Sequence, residues 1–415
     1  MHARTMRIGI YMAEIKKFNK NRRMASPEAG NKTSTIDYRR VIAAHRLKLL
    51  YRTTLVLLVS AAVGALFYTQ YINMVYTDYQ VISSVAREES TTSITKNLGG
   101  KILTYSNDGA SCMNTGGEQL WNQTYEMQNP MVDLNDTVAA IADYNGRSIY
   151  IVNTEGVLGK VEADKPIRSI SVSKTGMVAA VVDDTDVTAI YLYSSTGEEI
   201  AFFKTTMEKS GYPVSVSISP NGEIVAVSYI YVDSGLMMSN VAFYNFGQVG
   251  QNKTDNYVSG YSYTDAVIPQ ISFMNDENSF AIADNRLIFY KGDQIPTSNQ
   301  EILLSEEIRS VYFDEAYVGL VYINADGETK YRMDVYTEQG KKILSKKFDL
   351  EYTDIYFNKE CAVLYNDAQC LVFNMKGVEK FNGTFKHSVN ALLPTASINK
   401  YVAVSQGKIE MMELK

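Results

Sequence analysis

Ser-Ile-Ser-Pro-Asn-Gly-Glu-Ile-Val-Ala-Val, residues 217–227, reads as the end of one strand, a tight turn and the start of the next. Pro220, Asn221 and Gly222 supply the turn, and apolar residues that favour extended backbone resume at Ile224. The run after the turn recurs along the chain: Ile-Leu-Thr-Tyr (102–105), Val-Ala-Ala-Ile (138–141), Val-Ala-Ala-Val (178–181), Val-Ala-Val (225–227), Ala-Ile-Ala (281–283), Val-Gly-Leu-Val (318–321), Ala-Val-Leu (362–364) and Val-Ala-Val (402–404). The spacings are 36, 40, 47, 56, 37, 44 and 40 residues, close to the roughly 40–45 of a four-stranded propeller blade.

Each run has the same neighbours. A strand and turn precede it, as in Ser-Val-Ser-Lys-Thr-Gly (171–176), and a Tyr-rich strand ending in a Gly turn follows, as in Tyr-Leu-Tyr-Ser-Ser-Thr-Gly (191–197). The last repeat stops at residues 410–415, where the others make their Gly turn, and so lacks its outermost strand. Tyr-Gln-Val-Ile-Ser-Ser-Val-Ala (79–86) lies before the first repeat and belongs to none. Inserted into the final blade, it would close a ring whose sheet edges otherwise stay open. The prediction is an all-β, eight-bladed β-propeller, or a seven-bladed one if the repeat around Cys112 is irregular.

The propeller follows one N-terminal transmembrane α-helix, Thr54 to Tyr76, which carries no charged side chain. Its 23 residues span roughly 34 Å as a helix, against about 30 Å of bilayer hydrocarbon. Tyr51 and Arg52 at one end and Tyr68, Tyr71 and Tyr76 at the other read as membrane-interface anchors. The segment ahead of the span carries a net charge of +10 and the region beyond it −16, which places the N-terminus in the cytoplasm and the propeller outside. Three domains are expected: a basic cytoplasmic tail (1–53), disordered over residues 1–35, the span (54–76), and an extracytoplasmic propeller (77–415). Residues 39–52 alternate basic and apolar side chains, like a helix continuing the anchor, and the tail can lie against anionic lipid.

The turn-and-strand unit at 217–227 resembles that of WD-repeat-like and YVTN-type propellers. Gly-Ala-Ser-Cys-Met-Asn-Thr-Gly-Gly-Glu-Gln-Leu-Trp (109–121) resembles a quinoprotein-type repeat, but Trp121 is the single Trp of the chain, so no quinone cofactor is carried over. The whole plan is similar to an uncharacterised family of single-pass, membrane-anchored propeller proteins of Gram-positive bacteria. That resemblance implies no known activity.

Little in the chain points to catalysis. His387 is the one His beyond the span, which rules out a multi-His metal centre within one chain. Cys112, Cys361 and Cys370 read as buried free thiols, the last two out of register for a cross-strand pair. Asp183, Asp184 and Asp186 form the densest acidic cluster and are weak candidates for a hard cation, although a solvated hairpin tip explains them as well. Arg168, Arg286 and Arg309 suggest a carboxylate clamp, without a supporting Asp-box turn. No catalytic residue and no cofactor is assigned. The acidic propeller argues against nucleic acid as a partner.

The 56-residue spacing is the largest irregularity. Its excess lies at 232–240 and in the stretch up to 257–265, where Met237, Met238, Tyr257, Tyr261 and Tyr263 would form an adhesive patch for protein or sugar. An outer strand with a long connection is the plainer account. The leading expectation is a membrane-tethered module whose propeller face binds or scaffolds a protein or cell-wall glycan. The alternatives are a surface hydrolase using Asp or Glu of the channel to cleave glycans, and a single-pass sensor.

Overall fold

The computed structural model describes residues 38–72, 74–87, 93–183, 188–205, 211–325 and 327–415. The chain divides into two units, residues 1–70 and 71–415. The expected disorder of residues 1–35 falls on residues outside those described.

One helix, Tyr38–Ile72, carries the apolar stretch Ile42–Gln70 and is long and apolar enough to cross a membrane. It contains no Pro, and its three Thr hydroxyls are satisfied internally: Thr53 and Thr54 both donate to the Leu50 carbonyl at 2.9 Å, and Thr69 to that of Leu66. From Thr53, the residue after the last basic side chain, to Ile72 the helix runs about 30 Å, one hydrocarbon thickness. The apolar helix therefore ends four residues short of the expected Tyr76.

The second unit is an eight-bladed β-propeller, with eight four-stranded antiparallel sheets among the described residues. Blades 1 to 7 take their strands in sequence order and cover residues 94–124, 130–162, 167–205, 212–263, 270–303, 308–348 and 354–384. The eight recurring runs lie in or at the end of the second strand of each blade. These strands are almost wholly buried and rich in small residues, with Ala139, Ala140, Ala179, Ala180, Ala226, Ala281, Ala362 and Ala403 fully enclosed where neighbouring blades converge. Apolar clusters fill each blade interface, as where Val181 and Ile190 of blade 3 pack with Val227 and Tyr229 of blade 4.

Blade 8 is assembled from both ends of the unit. Its order from the outside is Tyr79–Ala86, Lys408–Leu414, Lys400–Ser405 and Ala391–Pro394. The outer pair runs in register from Tyr79 opposite Leu414 to Ala86 opposite Lys408, with a bulge between Val81 and Ser83. Backbone bonds extend the join at both ends: Thr77 N–H donates to Lys415 O at 2.9 Å and Arg87 N–H to Gly407 O at 2.9 Å.

The Ser-x-Ser-x-x-Gly unit has a separate job for each residue. An innermost strand leaves backbone N–H groups unpaired on its channel edge, and the first serine of the preceding blade meets one of them. Ser171 Oγ accepts the Ile218 N–H at 3.1 Å, and Ser217 Oγ accepts that of Phe273 at 2.9 Å. The second serine caps the turn: Ser173 accepts from Met177 N–H and Ser219 from Ile224 N–H, both at 2.9 Å. Gly222 has a φ of 83°, and a Cβ there would lie 2.7 Å from Met177 Sδ.

The three cysteines are free and buried. Cys361 pairs with Asn374 and Cys370 with Tyr365 across the strands, so the two thiols do not face each other. Trp121 belongs to a blade junction, its indole N–H donating to Asn153 O of blade 2 at 2.9 Å.

Candidate functional site

Second-to-third hairpins and blade-to-blade linkers share one face of the ring, here the hairpin face; the remaining connections share the other. Among the described residues, blade 4 has the longest middle strands, and they run to the hairpin face. Its middle strands, Ile224–Asp233 and Leu236–Asn245, have ten residues each, against five to seven in the middle strands of the other blades. They meet at Ser234 and Gly235, both with positive φ, in the tight turn that matches strand twist. The tip is apolar and open to solvent: Val232 and Leu236 are each 61% exposed and Met237 54%.

Between blades 5 and 6 the same face holds a cavity of ≈ 580 Å³, within the size range of ligand pockets, lined by Gln270, Asp284, Leu304, Glu306, Ile308 and Arg309. Arg309 also borders a second cavity of ≈ 410 Å³, with Ile323, Lys330 and Tyr331. Its guanidinium stands 5.1 Å from the Tyr331 ring centroid. Tyr331 in turn donates to Glu351 at 2.5 Å, and Lys330 Nζ reaches the other carboxylate oxygen at 2.8 Å. The Lys330 bond, followed by the Tyr331 bond, holds the Glu351 carboxyl below its ordinary value. Glu306 is held by both terminal nitrogens of Arg332, at 2.9 and 3.2 Å.

Three carboxylates of the inner strands and first turns are committed to partners. Asp133 accepts the Val172 N–H at 2.7 Å, Asp354 lies 3.7 Å from Lys96 Nζ, and Glu315 lies 2.5 Å from Lys174 Nζ. Asp133 is the one whose acidity is moved most, enclosure pushing its carboxyl up to about 6 against the lowering effect of its hydrogen bonds. Each is tied to a partner on a different pair of blades.

The sequence candidates fall in several places. Met237 and Met238 lie on the blade 4 hairpin, and Tyr257 begins the outer strand Tyr257–Tyr263 at the opposite end of the blade, since Tyr257 pairs with Tyr244 and Tyr263 with Ser239. Tyr263 is buried, its hydroxyl 2.8 Å from that of Tyr290, and the Tyr261 hydroxyl donates to Pro296 O at 3.1 Å. One adhesive patch of all five residues is therefore not formed: alternation along the outer strand turns Tyr261 and Tyr263 into the blade 5 interface. The plainer account, an outer strand reached by a long connection, holds for 257–263.

Arg168 bonds Asp183 at 3.2 Å, and Arg286 pairs with Asp265 at 2.6 Å and Glu301 at 3.2 Å. With Arg309 on Tyr331, the three arginines serve three blades and make no clamp. Asp183 also accepts from Thr188 Oγ1 at 3.1 Å, while Asp184 and Asp186 lie outside the described residues. Among the described residues no group of three or more His, Cys, Asp or Glu could hold a metal ion. His387 is exposed.

Of the interface anchors, Tyr51, Arg52 and Tyr68 are exposed on the helix. Nothing is described of the Tyr71 side chain. Tyr76 is a correction: it is buried in the propeller core, its N–H donating to Lys380 O at 2.7 Å and its ring 5.6 Å from Lys380 Nζ. An aromatic residue just past an apolar run looks the same in sequence whether lipid or a blade covers it. The Arg309 cavities left no local signal either, since the walls of each come from segments up to about 40 residues apart.

Residues 72–414 match the model of DUF5711, a family of unknown function. The chain belongs to that family. For DUF5711 the match begins at the last residue of the helix and takes in the whole ring. No curated protein matches the sequence. Among solved structures, BamB from Moraxella catarrhalis is similar at 12% identity and a TM-score of 0.49, covering 81% of this chain and 100% of that one. Hsv2 from Kluyveromyces lactis gives 9%, 0.46, 72% and 98%, and the Pan2 WD40 domain from Neurospora crassa 8%, 0.43, 81% and 95%.

Proposed function

We propose that this DUF5711 member is a membrane-tethered binding module that holds a protein partner on the hairpin face of blades 4 to 6. The observation that carries the reading is the blade 4 hairpin, which presents Val232, Leu236 and Met237 to solvent on the face that also bears the ≈ 580 Å³ cavity. Solvent-exposed apolar tips are unfavourable unless another surface covers them, and a cavity on the same face offers a pocket for an anchoring side chain. The charge asymmetry of the chain supports a cytoplasmic tail and an extracytoplasmic propeller, and the resemblance to anchored propellers of Gram-positive bacteria fits the same placement.

Crosslinking in intact membranes followed by pulldown tests the reading. A triple variant, Val232→Ser, Leu236→Ser and Met237→Ser, should fold and reach the membrane as the wild type does but lose its specific partners. An unchanged partner set would refute the assignment to this face.

A further inference from the structure

We propose a second binding site, for carbohydrate, on the flank of blade 4 that faces blade 3. It is separate from the hairpin face and does not depend on that reading. The third and outer strands of the blade pair Asn240 with Ser262, Ala242 with Gly260 and Tyr244 with Tyr257. Side chains at alternate positions share a side, and Ala242 and Tyr244 belong to the apolar cluster shared with blade 3, so these three rungs form one surface. The middle rung, Ala242 and Gly260, is nearly without side chain. The result is a trough of ≈ 350 Å³ with Tyr229 lining it from the second strand. It extends over four residues, or roughly 13 Å, enough for about two sugar rings.

The two ends of the trough differ. At one, Tyr257 is 46% exposed and its hydroxyl lies over Gly260, where a Cβ would come within 2.3 Å of it. Its ring packs edge-on against Tyr244 at 6.0 Å, and the Tyr244 hydroxyl is fixed 2.9 Å from that of Tyr229. A supported, half-exposed tyrosine is a stacking platform for the C–H face of a pyranose. At the other end, Asn240 Oδ1 is buried without a hydrogen-bond partner. Ser262 adds an exposed hydroxyl there, while Asp255, two residues before Tyr257 and held at a φ of 55°, puts an exposed carboxylate at the tyrosine end.

This set is rich in acceptors and has no cation in its lining. An anionic ligand would find no countercharge beside Asp255, and a purely apolar one would cover the exposed Asp255 carboxylate and Ser262 hydroxyl without giving them partners. Neutral saccharides supply what the trough requires, several O–H donors around a ring with an apolar face. A peptide bearing Pro or Tyr is the competing class, but it offers fewer donors for the same length.

The full chain in lipid nanodiscs, free of sugar-based detergent, would be titrated with cellobiose, chitobiose and maltose and followed by saturation-transfer difference NMR. At least one disaccharide should receive transfer at its ring protons. Its affinity should fall about tenfold in Tyr257→Ala, the loss expected for one aromatic platform, and similarly in Ser262→Leu, which fills the trough from an exposed position. Melting temperatures close to the wild type would show that both variants keep the fold. Absence of transfer for all three sugars, or affinity unchanged in both variants, would overturn the proposal. So would saturation of the trough by a Gly-Pro-Tyr peptide that the sugars fail to displace.

Discussion

Asp133 in the first strand of blade 2 accepts the Val172 N–H of blade 3 at 2.7 Å, in the same register in which Ser171 and Ser217 bridge the next two blade junctions. The residues opposite them, Ala140, Ala179 and Ala226, mark the equivalence. A carboxylate thus occupies a serine position, and its enclosure raises its pKa from 3.8 to about 6. The folded state therefore binds the proton more tightly than the unfolded chain. Its contribution is most favourable below about pH 4 and is lost as pH rises through 6. Asp133→Ser keeps the acceptor and removes the charge. Denaturant unfolding should find it more stable than the wild type at pH 7.5 by about 1–3 kcal/mol, with the gap closing towards pH 4. A pH-independent difference would contradict the titration argument.

Tyr79 is the first residue of the closing strand and one of the most connected. Its ring meets Phe381 and Phe385 edge-on at 6.4 and 6.5 Å, and its hydroxyl accepts the Lys386 N–H at 2.8 Å. Tyr79→Ala should cost about 3–5 kcal/mol, as for other large aromatic truncations in a core. Removal of residues 77–87 should do more, because it leaves the whole edge of Lys408–Leu414 unpaired and the ring open. Thermal unfolding of the two variants checks both; a deletion that melts with the wild type would show that blade 8 is stable on three strands.

The ring was legible in the sequence because blades repeat. Each second strand must fit the crowded region between its neighbours, so its small apolar run returns at blade spacing, and Gly176, Gly197, Gly222 and Gly340 return where turns need positive φ. Tyr76 was misread because an apolar run does not record whether lipid or a blade covers its end. The patch around blade 4 was misread in part for a different reason. Excess length identifies the blade that departs from the others, but only strand register decides that Tyr257 faces solvent while Tyr261 and Tyr263 face blade 5. The cavities around Arg309 depend on the packing of separate blades, which no local pattern encodes.

The three thiols should be inert while the propeller is folded. Burial raises Cys112 and Cys361 to about 11 each and Cys370 further, so little thiolate exists at pH 8 and access is closed. Iodoacetamide at pH 8 should modify fewer than one of the three on the native protein and all three in denaturant, counted by mass spectrometry. Rapid labelling of native Cys370 would mean that the blade 7 interface opens far more readily than its packing implies.

Lys174 and Glu315 join the first turns of blades 3 and 6 across the channel mouth, with nitrogen and oxygen 2.5 Å apart. The span is long in sequence and the geometry short, which invites a structural role. Exposure argues otherwise, since Lys174 is 38% and Glu315 68% exposed at the side chain, and water screens the attraction. The neighbouring turns are already tied by Lys174 N–H to Pro220 O at 2.9 Å, Asn221 N–H to Asp276 at 2.8 Å and Asn275 to Glu315 O at 3.0 Å. These bonds involve backbone groups that survive truncation of Lys174 and Glu315. A double-mutant cycle of Lys174→Met and Glu315→Gln should therefore give a coupling of about 0.2–1 kcal/mol that shrinks further in 0.5 M salt. A coupling above about 2 kcal/mol would make the ion pair a genuine strut of the ring and the backbone ties secondary.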